Sequence, residues 1–213
     1  MMLGTLQRIV ESVHQAPEFD VALETMVRKV KAALNTDVCS IYLTDHEVRQ
    51  FVLMATDGLA VEPNRRVALN FGEGLISLAA EREEPLNIAD VRKSPHFKPV
   101  QGIGEEPYLA MLVAPIIHQR QVLGVLAVQQ KTARHFSSDE ESFVVTLATK
   151  LAAVISHAEI KDFVSDQRSP WLRSLKAIAG APGIALGPVY IGKPVAQLSA
   201  VVPRRTEQPW YEI

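Results

Sequence analysis

The strongest constraint on the fold is a pair of apolar runs in the second half of the chain, LAMLVAPIIHQRQVLGVLAVQQK at residues 109–131. A short polar tip, Gln119-Arg120-Gln121, joins the runs, which is typical of two antiparallel strands connected by a turn. Proline cannot donate a hydrogen bond to a neighbouring strand, so Pro115 indicates an edge position or a β-bulge. A chain with this hairpin contains an antiparallel sheet, and its other elements must pack against that sheet.

The remaining segments alternate between helical and strand periods. Apolar residues at helical spacing predict helices over residues 3–15, 20–34, 75–82 and from 138 onward. A period of two predicts a hairpin over 37–45 and 51–56, a short strand at 66–70 and an extended piece at 85–91. Together these predict an α+β fold, in which an antiparallel sheet of about five to six strands has helices on one side and long N- and C-terminal helices. The proline-rich stretch 92–108 is expected to be a long functional loop.

The last helix has a marked start and a broad apolar face. Ser138 and Glu141 match a capping box, and the acidic residues there complement the positive end of the helix dipole. The apolar stripe is wider than one sheet requires, which predicts a second packing partner such as the same helix of another subunit. Its residues are Phe143, Val144, Leu147, Ala148, Leu151, Ala152, Val154, Ile155 and Ala158.

Composition argues against several classes of partner. The chain has 22 Lys and Arg against 24 Asp and Glu, a net charge of −2, so nothing favours nucleic acid or an anionic membrane. A single cysteine, Cys39, cannot form an internal disulfide and suits a reducing compartment. The sequence contains no run of 18 apolar residues, and its first residues lack a signal-peptide apolar region. We therefore expect a cytoplasmic protein.

Four stretches carry a resemblance to a known family: DVCSIYLTD (37–45), FGEGLISLAAEREEPLNIADVRKSP (71–95), APIIHQRQVLGVLAVQQ (114–130) and FSSDEESFVVTLATKLAAVISHA (136–158). In these stretches the chain is similar to GAF domains, which are small-molecule sensory modules. Gly72-Glu73-Gly74 resembles the glycine pair before the short helix of the family. Residues 87–90 resemble the strand that leads into its ligand loop.

A second resemblance lies in AIAGAPGIALGPVYI, residues 177–191. This stretch is similar to the N-terminal strand of Enzyme I of the phosphoenolpyruvate-dependent phosphotransferase system. A GAF domain followed directly by that strand resembles the nitrogen-related Enzyme I. The resemblance divides the chain into a GAF sensory domain (1–165), a linker (166–176) and an incomplete start of the phosphohistidine domain (177–213).

The resemblance implies a parent enzyme that uses magnesium to transfer phosphate from phosphoenolpyruvate to a histidine, and then to a small HPr-like carrier. The GAF domain would regulate that step by sensing nitrogen status through glutamine or 2-oxoglutarate. The phosphorylated histidine of the family lies in a segment resembling GGxxSH, and none of the six histidines here does. We expect this chain to carry no cofactor or metal and to be unable to phosphorylate itself. Incubation with labelled phosphoenolpyruvate and magnesium tests this.

A GAF-type pocket is expected between the sheet and residues 70–110. A small amino or keto acid needs a few polar groups in an apolar cup, and the helix after Gly74 can offer free N–H groups to a carboxylate. The candidates are Thr56, Glu73, Asn87, Asp90, His96 and Tyr108 as polar groups, with Phe71, Phe97 and Met111 as walls. Structural interpretations stay open: a turn cap for Asp90, a solvated loop position for His96, a helix-dipole acid for Glu73, and core positions for Phe71 and Met111.

Other function classes remain open at this point. Some free-standing GAF proteins reduce methionine sulfoxide, but they need a nucleophilic cysteine and a resolving partner. Cys39 shares a strand face with Ile41 and Leu43, which favours an inert core residue. Haem binding through His96 or His118 is a further alternative. The domain could also be a homodimerisation module with a vestigial pocket, acting through its first and last helices.

Overall fold

The computed structural model describes residues 2–62, 65–100 and 102–165. The predicted linker (166–176) and the segment that resembles Enzyme I (177–213) lie outside the described residues.

Six strands form one antiparallel sheet. They are β1 (Val38–Asp45), β2 (Gln50–Asp57), β3 (Ala68–Asn70), β4 (Leu86–Ile88), β5 (Ala110–His118) and β6 (Gln121–Gln130). Their spatial order is β3-β2-β1-β6-β5-β4. The two predicted hairpins lie side by side because β1 pairs with β6 as well as with β2. This confirms the α+β class and the antiparallel sheet.

Four helices pack around this sheet. They are α1 (Met2–His14), α2 (Phe19–Leu34), α3 (Gly74–Arg82) and α4 (Ser138–Ser165), with a 3₁₀ turn at Val91–Lys93. Asn35 ends α2 in the left-handed conformation, which a short polar side chain tolerates. No helix in this part of the chain combines the length and apolarity needed to span a membrane.

One face of the sheet is covered by α2 and α4, and α1 packs on these two helices. Alternate strand residues such as Cys39 and Ile41 meet the apolar stripes of these helices in a buried core. Helix α4 packs on β5 and also contacts α1 and α2. Its stripe from Phe143 to Ile155 is therefore buried largely within the chain, with Val154 partly buried. The width of the stripe reflects these neighbouring helices, so the sequence-based reason for invoking a second subunit does not hold.

Helix α3 packs on the opposite face of the sheet, which corrects the expectation that all helices lie on one side. Its residues Leu75, Ile76 and Ala79 form a second buried cluster with β-sheet residues that include Met111 and Val113. Strands β5 and β6 are apolar at successive positions, so both of their faces need cover. That continuous apolar pattern was the sequence signal for a helix on each face.

Pro115 occupies the kind of position that its chemistry requires. Strand β4 pairs with β5 only over Met111–Val113, so β5 is an edge strand where Pro115 lies. A bulge follows between Ile116 and Ile117. The missing N–H therefore costs no ladder hydrogen bond to β4, and the prediction from Pro115 is confirmed.

The capping box of α4 begins one residue earlier than predicted. The Oγ of Ser137 accepts a hydrogen bond from the Glu140 N–H at 3.3 Å, and the Glu140 carboxylate accepts one from the Ser137 N–H at 2.7 Å. Two serines precede two glutamates, so the sequence allows both registers. The structure adopts this one, in which the Arg134 guanidinium also binds both Glu140 oxygens at 2.8 Å.

Candidate functional site

A cavity of about 240 Å³ lies where α3 begins. Its walls come from β3, the first turn of α3, residues 97–100, Glu105 and Met111 of β5. Leu75, Ile76 and Met111 belong to the buried cluster under α3, so this part of the wall is held by core packing. Phe97 packs against the same cluster from the long loop. An apolar cup with a few polar groups is typical of a small-molecule site.

Glu105 is the buried charged group of this cavity. Glu105 is only 6% exposed. Its two carboxylate oxygens accept hydrogen bonds from the Val100 N–H at 3.0 Å and from Gln129 Nε2 at 2.7 Å. Burial raises the pKa of Glu105, because a charged carboxylate is poorly solvated there, and these two hydrogen bonds only partly oppose the rise. The carboxylate ties the loop that closes the cavity to strand β6.

The mouth of the cavity carries opposite charges. Lys98 Nζ lies 3.3 Å from a Glu73 oxygen, and Asn70 Nδ2 donates to the other oxygen at 3.4 Å. Both members of the ion pair are largely exposed, so the pair contributes at most about 1 kcal/mol and can rearrange around a ligand. Glu73 is also the N-cap of α3, but its side chain makes no capping hydrogen bond. The first N–H groups of α3, from Gly74 onward, have no intrahelical acceptors.

Three of the nine predicted residues line this cavity: Glu73, Phe97 and Met111. Sequence reasoning missed Lys98 and Glu105. Lys98 lies in the loop 92–108 that was predicted to be functional, so the sequence contained a signal for it. Glu105 precedes Glu106 and Pro107 in a loop, where a carboxylate is ordinarily solvated. Nothing local marks it as buried.

Asn87 and Asp90 bind protein groups. Asn87 Nδ2 donates to the Phe136 carbonyl at 2.8 Å and to Glu141 at 3.0 Å, while its Oδ1 accepts from the Phe136 N–H at 3.0 Å. Asp90 accepts from the backbone N–H of Arg92 at 3.2 Å and from its guanidinium. Hydrogen bonds from Arg92 hold the pKa of Asp90 below its usual range. The turn-cap interpretation of Asp90 is thus confirmed.

Tyr108 and His96 are placed by the long loop, away from the cavity walls. The Tyr108 hydroxyl donates to the Gly58 carbonyl at 3.0 Å, and its ring is buried. His96 is exposed, and its backbone N–H donates weakly to Ser94 Oγ at 3.4 Å. Tyr108 therefore joins two loops. His96 is solvent-exposed, which agrees with its interpretation as a solvated loop residue.

Thr56 and Phe71 also lie outside the cavity walls. Thr56 lines a shallower hollow beside α2, and its Oγ1 is 2.8 Å from Ser40 Oγ. The Phe71 ring stacks on Phe51 at 4.7 Å between centroids, with the Arg49 guanidinium 5.3 Å from its centroid. Phe71 thus packs against the core, as its structural interpretation proposed.

Cys39 is fully buried in the helix-covered core. Burial raises the pKa of its thiol far above the usual value, since a thiolate would be unsolvated there. A buried, protonated thiol is not a nucleophile. Within the described ranges, no group of three or more His, Cys, Asp or Glu side chains is placed to hold a metal ion.

Comparison with known proteins agrees with this geometry. Residues 18–155 match the GAF domain family. The chain is 42% identical to the GAF domain of a phosphoenolpyruvate-protein phosphotransferase from Coxiella burnetii, with a TM-score of 0.70 over 75% of this chain and 95% of that one. It also shares the fold of a free methionine-R-sulfoxide reductase from Neisseria meningitidis, with a TM-score of 0.63 at 20% identity over 71% of this chain and 86% of that one.

A curated relative extends the similarity beyond the described residues. A Salmonella typhimurium protein named "Phosphoenolpyruvate-dependent phosphotransferase system" is 44% identical over 185 residues, which is 87% of this chain and 24% of that protein. A match of that length cannot fit within the first 165 residues, so it includes part of the chain after Ser165. The chain spans about a quarter of the length of the curated relatives it matches.

Proposed function

The chain belongs to the GAF-domain family, alongside the GAF domains of phosphoenolpyruvate-protein phosphotransferases, and from that premise we propose that it senses a small molecule and thereby regulates phosphotransfer. In this proposal, the full-length parent passes phosphate from phosphoenolpyruvate, with magnesium, to an HPr-like carrier in a nitrogen-related phosphotransferase system. This chain supplies the regulatory input. A cytoplasmic location is part of the proposal, since the single cysteine suits a reducing compartment.

The observation that carries the sensing function is the presence of both signs of charge around one small apolar cavity. Lys98 and the start of α3 provide positive potential, and Glu105 and Glu73 provide negative potential. An amino acid zwitterion with a neutral side chain, such as glutamine, matches both. The dianion 2-oxoglutarate would instead bring two carboxylates beside two acidic residues against one lysine. Between the two candidate ligands, the charges favour glutamine.

Each end of such a ligand has a complementary group in the cavity. The α-carboxylate can accept hydrogen bonds from the first N–H groups of α3 and from Lys98. The α-ammonium can bind Glu105, because each carboxylate oxygen has two acceptor positions and uses one for Val100 or Gln129. The cavity volume of about 240 Å³ lies below the roughly 300–1,000 Å³ of drug-sized ligand pockets, which suits a metabolite.

Thermal unfolding of the chain with four compounds tests this function. L-Glutamine at a hundred times its dissociation constant should add about 2.7 kcal/mol, which raises the Tm by about 5–10 °C. 2-Oxoglutarate and glutaramate, which is glutamine without its α-amino group, should give much smaller shifts. L-Glutamate, which adds a second carboxylate, should fall between them.

Two variants make the test specific to the cavity. Glu105→Gln should lose most of the response to glutamine, because its side chain no longer offers a charge to the ammonium. Gln121→Ala, which removes a side-chain hydrogen bond to His46 and lies outside the cavity walls, should respond as the original chain does. Shifts of equal size with glutamine and glutaramate would contradict the assignment of Glu105. If none of the four compounds raises the Tm, the proposal that the cavity senses this ligand class is contradicted.

We also propose that the chain forms a homodimer. The wide stripe of α4 no longer supports it, because that stripe is buried largely within the chain. Light scattering of the 213-residue chain at several concentrations tests it directly, and a constant monomer mass would remove the dimer from the proposal. A dimer without any ligand response would favour the alternative of an interaction module with a vestigial pocket.

A further inference from the structure

The first turn of α4 is bound by side chains from two segments that also reach the cavity. We propose that occupancy of the cavity is transmitted to this turn by two side-chain routes, one through Asn87 and one through Gln130 and Arg134. The inference rests on the proposed sensing function and adds the path by which a bound ligand would act on the rest of the protein.

The first route runs along one continuous stretch of chain. Asn87 makes three hydrogen bonds of 2.8 to 3.0 Å to Phe136 and Glu141, at and just before the start of α4. The same stretch continues to residues 97–100, which form a wall of the cavity. Between them, buried Val91 is fixed by a 2.8 Å hydrogen bond from its N–H to the Leu109 carbonyl. A ligand that displaces residues 97–100 therefore acts on the same stretch of chain that binds the start of α4 through Asn87.

The second route crosses strand β6. Glu105 in the cavity accepts a hydrogen bond from Gln129, which is 4% exposed. The next residue, Gln130, accepts a 2.7 Å hydrogen bond from Arg134 Nε. Arg134 in turn binds both oxygens of Glu140, the acidic member of the α4 capping box. Any change in the hydrogen bonding of Glu105 thus acts on the strand whose end positions Arg134.

Helix α4 is suited to carry the signal onward. It has 28 residues, so at a rise of 1.5 Å per residue it is about 42 Å long. A packed helix moves as a unit rather than deforming continuously, so a displacement at its first turn is carried along its axis. Two sites are coupled when both of them shift the position of the same structural element. Here that element is the start of α4, which both side-chain routes from the cavity reach.

Hydrogen exchange on the 213-residue chain tests the inference. L-Glutamine is the probe, and residues 136–141 are the reporter. In the original chain, glutamine should change exchange at the reporter by about tenfold, the scale of one hydrogen bond lost or gained. In the double variant Asn87→Ala/Arg134→Ala, which interrupts both routes, glutamine should still bind, because both residues lie outside the cavity walls, but most of that change should disappear. Gln121→Ala serves as the matched control and should retain it.

A second comparison needs no ligand. Glu105→Ala removes the cavity end of the second route, and the amides of α2, on the other face of the sheet, provide a reference for global destabilisation. Exchange at 136–141 should rise at least about threefold more than exchange in α2. An equal rise in both regions would show that Glu105 acts only on overall stability.

The outcomes separate the relay from the sensing function. Glutamine binding without a change at 136–141, or with the same change in the double variant Asn87→Ala/Arg134→Ala, overturns the relay and leaves sensing intact. If glutamine does not bind, the choice of ligand fails. The Glu105→Ala comparison then decides the relay by itself.

Discussion

Replacing Glu105 with alanine tests how the cavity is held together. The substitution leaves the Val100 N–H and the buried Gln129 amide without their acceptor. Each unsatisfied buried donor costs about 1–3 kcal/mol, and relief from burying a carboxylate offsets part of that cost. We therefore expect a net loss of about 2 kcal/mol in the free energy of unfolding, which lowers the Tm by about 4–8 °C.

Glu105→Gln is the matched comparison. Its amide oxygen can accept from the Val100 N–H, and its NH₂ can donate to Gln129 once that amide rotates by half a turn. Both hydrogen bonds survive and the buried charge is removed, so we expect a change below about 1 kcal/mol. The difference between the two variants isolates the hydrogen bonds from the charge.

Urea denaturation followed by far-UV circular dichroism measures both variants. The reasoning is refuted if Glu105→Ala unfolds within about 0.5 kcal/mol of the original chain, the scatter of neutral surface substitutions. It is equally refuted if Glu105→Gln is as unstable as Glu105→Ala. That result would show that the carboxylate does not stabilise the fold through its two hydrogen bonds.

Three further predictions concern protonation and packing. Burial raises the pKa of Glu105 above its usual value of about 4.5, so the folded chain keeps this proton to higher pH than the unfolded chain does. The free energy of unfolding of the original chain, relative to Glu105→Gln, should therefore fall as the pH rises from the usual pKa to the raised pKa of the folded chain. Urea titrations at several pH values measure this. Gly124→Ala should cost about 3 kcal/mol in the same assay, because its Cβ would lie 2.2 Å from the Tyr42 carbonyl oxygen, whereas Gly4→Ala in α1 meets nothing within 4 Å and should be neutral or stabilise by up to about 1 kcal/mol. Cys39 should react with a thiol reagent such as DTNB only after denaturation, and fast labelling of the folded chain would contradict its burial.

Local chemistry predicted the features that depend on neighbours in sequence. The polar tip between two apolar runs predicted the β5–β6 hairpin, Pro115 predicted an edge or bulge, and Asp90 fits the turn cap that was left open. Each of these depends on residues a few positions away, so the sequence contains the whole cause.

Hydrophobic periodicity also predicted the number and kind of elements, because it reports which face of each element is buried. It could not say which other element covers that face. Only the tertiary structure placed α3 opposite the other helices and chose the Ser137 register of the capping box, where Arg134 binds Glu140. The same holds for Glu105, a loop carboxylate that becomes a buried cavity group because Gln129, 24 residues later on another strand, reaches it. Burial and hydrogen bonding between distant residues arise only when the chain has folded, so the site is decided there.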